Sequence, residues 1–163
     1  MHVIQITVNG EQVKASVEPR TNLADFLRET VDARSIHLGC EHGVCGTCTT
    51  IINGKIARSC IALAVSLDGA EVWTLEGLYN DPVIAQLRRS FHECHGLQCG
   101  YCTPGVLITA RDILQRHKNP PEDVVREALA GSICRCTGYA GIVKAVLHAA
   151  EHRGAPSDPL LPT

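Results

Sequence analysis

The chain has 163 residues, with 15 Lys and Arg against 17 Asp and Glu and 45% hydrophobic residues, enough to bury the core of one ordinary domain or two small ones. A net charge of −2 leaves no basic excess to neutralise phosphates, and 4% aromatics give few stacking platforms, which excludes a nucleic-acid partner. No apolar run approaches the ~20 residues of a bilayer span, and Met1 to Gly10 carry no basic n-region, twin arginine or small-residue cleavage site, so the expected compartment is the cytoplasm. The first third reads as β. Ile4, Ile6 and Val8 alternate with Gln5 and Thr7, Asn9-Gly10 supplies the positive-φ pair of a tight hairpin turn, and Val13, Ala15 and Val17 continue on one face from Glu11 to Glu18. After Pro19, Thr21 or Asn22 can cap a short helix that carries Leu23, Phe26 and Leu27 on one side. A loop with three cysteines follows. Thr49 to Ile52, Asn53-Gly54 and Lys55 to Cys60 predict a second hairpin, and Glu71 to Leu75 a closing strand. Two hairpins, a crossing helix and a closing strand describe a small mixed sheet of the β-grasp type.

From Gly77 to Asp81 the chain reads as a linker, and Pro82 suits the first turn of a helix carrying Val83, Ile84, Leu87 and Phe91. Thr103-Pro104 opens a second helix with Val106, Leu107, Ala110, Ile113 and Leu114 on one face. Pro120-Pro121-Glu122-Asp123 starts a third, before Val124, Val125, Ala128 and Leu129, and Tyr139 to Ala150 supplies a fourth. The fold class is therefore α+β, a β-grasp sheet followed by a small four-helix domain.

Nine cysteines are out of line with this composition. In a chain without an export signal, clustered thiols point to metal or redox chemistry and not to disulfides. Cys40, Cys45, Cys48 and Cys60 have the spacing C-x4-C-x2-C-x11-C, which is that of plant-type [2Fe–2S] sites. Gly39, Gly43 and Gly46 relax the loop so that its amides can point at the sulfurs. A four-cysteine zinc site is the alternative, for which paired C-x2-C knuckles would be the better match. The second group is Cys99 and Cys102, then Cys134 and Cys136 after 31 intervening residues, each pair at the start of a predicted helix, where partial positive charge favours thiolates. Spacing alone leaves this group open between an iron–sulfur cluster, a zinc site and a redox-active C-x2-C. Cys94 is left over and reads as a small buried hydrophobe, and His42 and His95 read as neighbours of ligands or surface residues.

The strings GCEHGVCGTC, LQCGYCTPG and ICRCTGY, in this order, resemble the iron–sulfur subunit of molybdenum-containing hydroxylases, the xanthine oxidase family, over residues 1 to about 152. The tail over 153–163 lies outside the resemblance and reads as extended from Pro156, Pro159 and Pro162. The resemblance implies a ferredoxin-like [2Fe–2S] domain over residues 1–77 and a helical [2Fe–2S] domain over 78–152. It implies that Cys40, Cys45, Cys48 and Cys60 ligate one cluster and Cys99, Cys102, Cys134 and Cys136 the other, with Gln98 and Cys136 approaching a molybdopterin. That molybdopterin would lie on a large partner subunit and FAD on a medium one, in a heterotrimer or its dimer. Substrate would be hydroxylated with oxygen from water, and electrons would leave molybdenum one at a time through the helical-domain cluster, then the ferredoxin-type cluster, to FAD. No G-x-G-x-x-G fingerprint occurs, so this chain is expected to conduct electrons and to hold no catalytic residue of the substrate reaction. A free-standing ferredoxin is the rival reading, and the helical half argues against it, since a shuttle needs only the first 80 or so residues. Shuttles also tend to be far more acidic than −2, because acidity steers encounter with their partners. A structural zinc protein is a third, and it predicts a colourless product.

Overall fold

The computed structural model describes residues 1–154; the expected Pro-rich tail falls, from residue 155 on, outside the described residues. Strands β1 (His2–Val8) and β2 (Glu11–Val17) pair antiparallel from His2 against Val17 to Val8 against Glu11. Their turn holds Asn9 at φ 52° and Gly10 at φ 86°, the left-handed pair that matches a hairpin's twist. Helix α1 (Leu23–Glu29) is capped by Asn22, whose side-chain oxygen accepts from the Asp25 amide at 2.8 Å, and it buries Leu23, Ala24, Phe26 and Leu27. Strands β3 (Thr49–Ile52) and β4 (Lys55–Arg58) form the second hairpin, around Asn53 at φ 48° and Gly54 at φ 77°. Strand β5 (Glu71–Trp73) lies between β1 and β3, parallel to the first and antiparallel to the second, giving the order β2-β1-β5-β3-β4.

Two strand ends differ from the sequence expectation. Strand β4 stops at Arg58 because Ser59–Ile61 form a 3-10 turn. There the Ser59 amide and hydroxyl both donate to the Cys48 carbonyl, at 3.3 and 2.8 Å, which folds Cys60 inward. Strand β5 stops at Trp73, since the Thr74 amide donates to the Asn9 side chain at 2.8 Å and not to a neighbouring strand.

The second half contains α2 (Pro82–Glu93), α3 (Thr103–Arg116), α4 (Glu122–Leu129) and α5 (Ala140–Glu151). Asp81 accepts from the Val83 and Ile84 amides at 2.9 and 3.0 Å while pairing with Arg111 of α3 at 2.7 Å, so one carboxylate both starts α2 and holds it against α3. Ile84, Leu87, Phe91, Ile108, Ile113 and Ile142 fill the helical core. Ile4, Ile6, Leu23, Phe26, Leu27 and Ile36 fill the core between α1 and the sheet. The two cores meet through the sheet: Ile51 of β3 belongs to the helical core, with Ile56, Trp73 and Leu75 packed on it.

The expected linker is an ordered strap and not a tether. Residues Glu76–Leu78 make a 3-10 turn whose Leu78 is buried in the helical core. Glu76 accepts from the Ser35 amide at 2.7 Å, the Ser35 hydroxyl at 2.6 Å and the Thr74 hydroxyl at 2.6 Å, tying the strap to the loop after α1. Burial opposes ionisation of Glu76, but the Ser35 and Thr74 hydroxyls and the Ser35 amide outweigh it and hold the carboxyl below its usual range. A carboxyl with a depressed folded-state pKa stabilises the fold fully above the unfolded value and loses that contribution as pH falls through the folded one. Glu76→Gln is therefore expected to cost about 1 kcal/mol at neutral pH and to flatten the decline in stability below about pH 5. Urea melts of both proteins across pH 3–7 check this; parallel acid limbs would contradict it.

Candidate metal centres

Eight of the nine cysteines gather into two groups of four, and each group has an inner and an outer pair. In the first, Cys48 and Cys60 are buried while Cys40 and Cys45 are half-exposed. In the second, Cys102 and Cys134 are buried and Cys99 and Cys136 exposed. Direct contacts join the members of the outer pairs. The Cys45 amide donates to the Cys40 sulfur at 3.3 Å, and the Cys136 and Cys99 sulfurs lie 3.5 Å apart. Cys60 and Cys48 interact electrostatically, as do Cys102 and Cys134.

The first loop is a cradle of amides. The N–H groups of Cys45, His42 and Val44 all point at the Cys40 sulfur and lower its pKa to about 6, the effect of a nest of oriented amides on an anion. Left-handed turns at Glu41 (φ 56°), Gly43 (φ 85°) and Gly46 (φ 78°) give the loop this shape. The inner thiols behave oppositely. Burial, then the Cys48 thiol, pushes Cys60 up to about 11. Burial, then the Cys134 thiol, pushes Cys102 up to about 12. Burial also raises Cys134, but the Thr137 hydroxyl and the Thr137 and Cys136 amides outweigh it, and its thiol lies below the usual range.

The second group sits at two helix starts, as the sequence reading expects. Cys102 is the N-cap of α3, while Thr137, Gly138 and Tyr139 separate Cys136 from α5. Tyr139 is left-handed at φ 68°, a conformation costing a non-glycine residue about 1–2 kcal/mol. It folds the chain back so that the Cys134 amide donates to the Tyr139 hydroxyl at 3.0 Å and the Tyr139 amide to the Thr137 hydroxyl at 3.2 Å.

The two groups are in direct backbone contact. The Ile133 amide, next to Cys134, donates to the Cys45 carbonyl at 2.8 Å. Arg58 donates to the Gly131 carbonyl at 2.7 Å and, through its other terminal nitrogen, to the Thr49 hydroxyl. His37 stacks on Tyr101 with ring centroids 4.6 Å apart, and the Tyr101 hydroxyl donates to the Leu38 carbonyl at 2.9 Å. A Cβ on Gly46 would lie 2.5 Å from the Gly131 oxygen, and one on Gly105 would collide with the Gly46 carbonyl.

The donor set fits two-iron clusters. All eight donors are sulfur, which suits iron–sulfur chemistry. Buried Ser132 has the one unpartnered buried side-chain polar atom among the described residues. It lies between Gly131 and Ile133, at the junction of the two groups. The remaining sequence candidates lie at the periphery. Gln98 is exposed beside Cys99. His42 is exposed, with its ring nitrogen 2.5 Å from the Cys40 carbonyl; His95 is exposed at the end of α2. Cys94 caps the C-terminus of α2, half-buried on the helical core.

The two halves of the chain match known domains. Residues 6–75 match the 2Fe-2S iron-sulfur cluster binding domain, and residues 74–147 the [2Fe-2S] binding domain. The chain is 46% identical to caffeine dehydrogenase subunit gamma of Pseudomonas sp. (strain CBB1) over 148 residues, 89% of each chain. It is 45% identical to the nicotine 6-hydroxylase small subunit of Paenarthrobacter nicotinovorans, over 90% of this chain and 88% of that one. The chain belongs to the small iron–sulfur subunits of the xanthine oxidase family of molybdenum hydroxylases. Among solved structures, quinoline 2-oxidoreductase from Pseudomonas putida 86 superposes with a TM-score of 0.87 at 44% identity, over 96% of this chain and 98% of that one. In the aldehyde oxidoreductase of Desulfovibrio gigas the likeness (TM-score 0.82, 34% identity) covers 93% of this chain but 17% of the other, so there the same subunit is one segment of a longer polypeptide.

Sequence reasoning did not find the contacts of Arg58, Ile133, Tyr101 and Thr137. Gly105 was the available signal, since a glycine inside a helix marks close backbone approach. Gly105→Ala drives a methyl group against the Gly46 carbonyl and is expected to cost about 1–3 kcal/mol. It should also speed hydrogen exchange at the Ile133 amide. Thermal melts and exchange measurements decide this, and unchanged protection at Ile133 would show that the contact yields freely.

Proposed function

We propose that the chain is the electron-transfer subunit of a molybdenum hydroxylase, relaying electrons one at a time from a molybdopterin centre on a large subunit to FAD on a medium subunit. When bound, a [2Fe–2S] cluster supplies each site with a one-electron couple. Cys40 with Cys45, and Cys48 with Cys60, would hold the two irons of the ferredoxin-type site. Cys99 with Cys136, and Cys102 with Cys134, would hold those of the helical-domain site. The pairing follows the thiol and amide contacts, with one outward and one buried pair at each site. Gln98 and Cys136, on the exposed side of the helical-domain site, would face the molybdopterin. The observation that carries the reading is the hydrogen bond from the Ile133 amide to the Cys45 carbonyl, because it joins a residue bonded to one site's ligand directly to a ligand of the other. This chain would bind the clusters, exclude water from the inner thiols and present the outer pairs to its partners, leaving substrate chemistry to the large subunit.

We further propose a heterotrimer or a dimer of heterotrimers in the cytoplasm, acting on an N-heteroaromatic substrate. The names of the relatives at 44–46% identity, with caffeine, nicotine and quinoline in them, support that substrate class. No helix among the described residues is long and apolar enough to cross a membrane.

The dithionite-reduced complex should contain about four irons per copy of this chain and show two distinct S = 1/2 EPR signals. Finding one signal, with zinc making up the metal, would overturn the assignment. Cys136→Ser should damage the helical-domain signal and spare the other, and Cys94→Ser should leave both in place. An N-heteroaromatic compound, and not an aldehyde, should reduce the co-purified complex.

A further inference from the structure

Each cysteine group has a threonine hydroxyl 3.2 Å from a ligand sulfur: Thr47 beside Cys45 and Thr137 beside Cys134. The two look equivalent, but a hydroxyl has one proton and two lone pairs, and the remaining contacts settle where each proton lies. The Thr47 oxygen is 2.8 Å from the His37 carbonyl. A carbonyl can only accept, so the Thr47 proton lies on that line; turned toward the sulfur, it would leave two sets of oxygen lone pairs facing each other at 2.8 Å. Thr47 therefore presents a lone pair to Cys45, which as a metal-bound thiolate has no proton to give. At Thr137 the partner is a donor, the Tyr139 amide at 3.2 Å. That amide occupies a lone pair and leaves the hydroxyl proton free for the Cys134 sulfur. The left-handed Tyr139 backbone aims the amide at Thr137.

We propose that Thr137 is a positioning residue that raises the reduction potential of the helical-domain site through a hydroxyl-to-sulfur hydrogen bond on Cys134, a bond that Thr47 does not make at the ferredoxin-type site. The inference rests on the reading of the eight cysteines as two [2Fe–2S] sites. Donors to cluster sulfurs are among the factors that set such potentials. A proton directed at sulfur stabilises the more negative, reduced state more than the oxidised one, because charge on the acceptor strengthens the bond. Thr137 thus makes the helical-domain site a better electron acceptor than it would be without this hydroxyl, and the ferredoxin-type site receives no matching contribution from Thr47.

The test is an EPR-monitored redox titration of the whole complex with Thr137→Val, Thr137→Ser and Thr47→Val. The helical-domain signal is identified as the one that Cys136→Ser removes. Thr137→Val should lower the midpoint of that signal by up to tenfold in the one-electron equilibrium constant, about 59 mV. Thr137→Ser should hold it near its original value, and Thr47→Val should not lower the other midpoint. Two signals with unmoved potentials in Thr137→Val overturn the inference. So does loss of the helical-domain signal in Thr137→Val when Thr137→Ser keeps it at full strength, since Thr137 would then be needed for assembly and not for poise. An equal fall in the ferredoxin-type midpoint in Thr47→Val also counts against it. Fewer than two signals in the unsubstituted complex overturns the two-cluster reading itself, and this inference with it.

Discussion

The arrangement depends on a backbone contact between two loops that are far apart in sequence. The Cys45 carbonyl accepts from the Ile133 amide, and around that bond Gly46 lies against Gly131 and Gly105. Side-chain contacts can adjust by changing rotamer, but main-chain contacts at this distance cannot. Each loop thus fixes the other, and with it the separation of the two cysteine groups. Arg58 reinforces the junction by reaching from the end of β4 to the Gly131 carbonyl. The sheet contributes Ile51, Ile56 and Trp73 to the helical core, so the two halves share packing as well as hydrogen bonds. Among the described residues the two cysteine groups are therefore held at a fixed separation by packing and hydrogen bonds together.

The inner and outer pairs present a protonation problem as well as a geometric one. Cys60 at about 11 and Cys102 at about 12 hold their protons at neutral pH until metal displaces them. Cys40, at about 6, is largely thiolate beforehand. Cys40 would offer an anionic sulfur to an incoming metal at the mouth of the first site, and the buried thiols would have to give up their protons on binding it. The amide cradle favours the anion at the surface, and burial keeps the finished site dry. These opposed demands are met at different cysteines of the same group.

Much of this was legible in the sequence because its causes are local. Asn9-Gly10 and Asn53-Gly54 each specify a hairpin turn, Pro82 and Asp81 a helix start, and alternation in Ile4, Ile6 and Val8 a half-buried strand. The spacing of Cys40, Cys45 and Cys48 reports a loop that wraps a cluster, which needs no distant partner to be recognised. Cys60 was readable as a fourth member but not as part of a 3-10 turn, because the turn depends on Ser59 reaching Cys48. Residues 77–81 have a linker's composition and yet form a strap, since Leu78 finds a core that only the later helices create. Thr47 and Thr137 look alike in sequence. They differ only because a carbonyl stands beside one and an amide beside the other.

The parallel pairing of β1 with β5 sets an order of assembly. It joins Thr7 to Glu71, whereas each hairpin closes over a two-residue turn and the first four cysteines lie within one continuous stretch. Local pairings form early, and distant ones must first meet the entropy of closing a long loop. On a growing chain the two hairpins and the first cysteine loop are complete before β5 exists to unite them. Strand β5 ends immediately before the strap that leads into α2, so the sheet closes just as the helical half begins to emerge. The second cysteine group, split between residues 99–102 and 134–136, lies later in the chain than the loop it packs against, so its contacts with that loop are the last to become available.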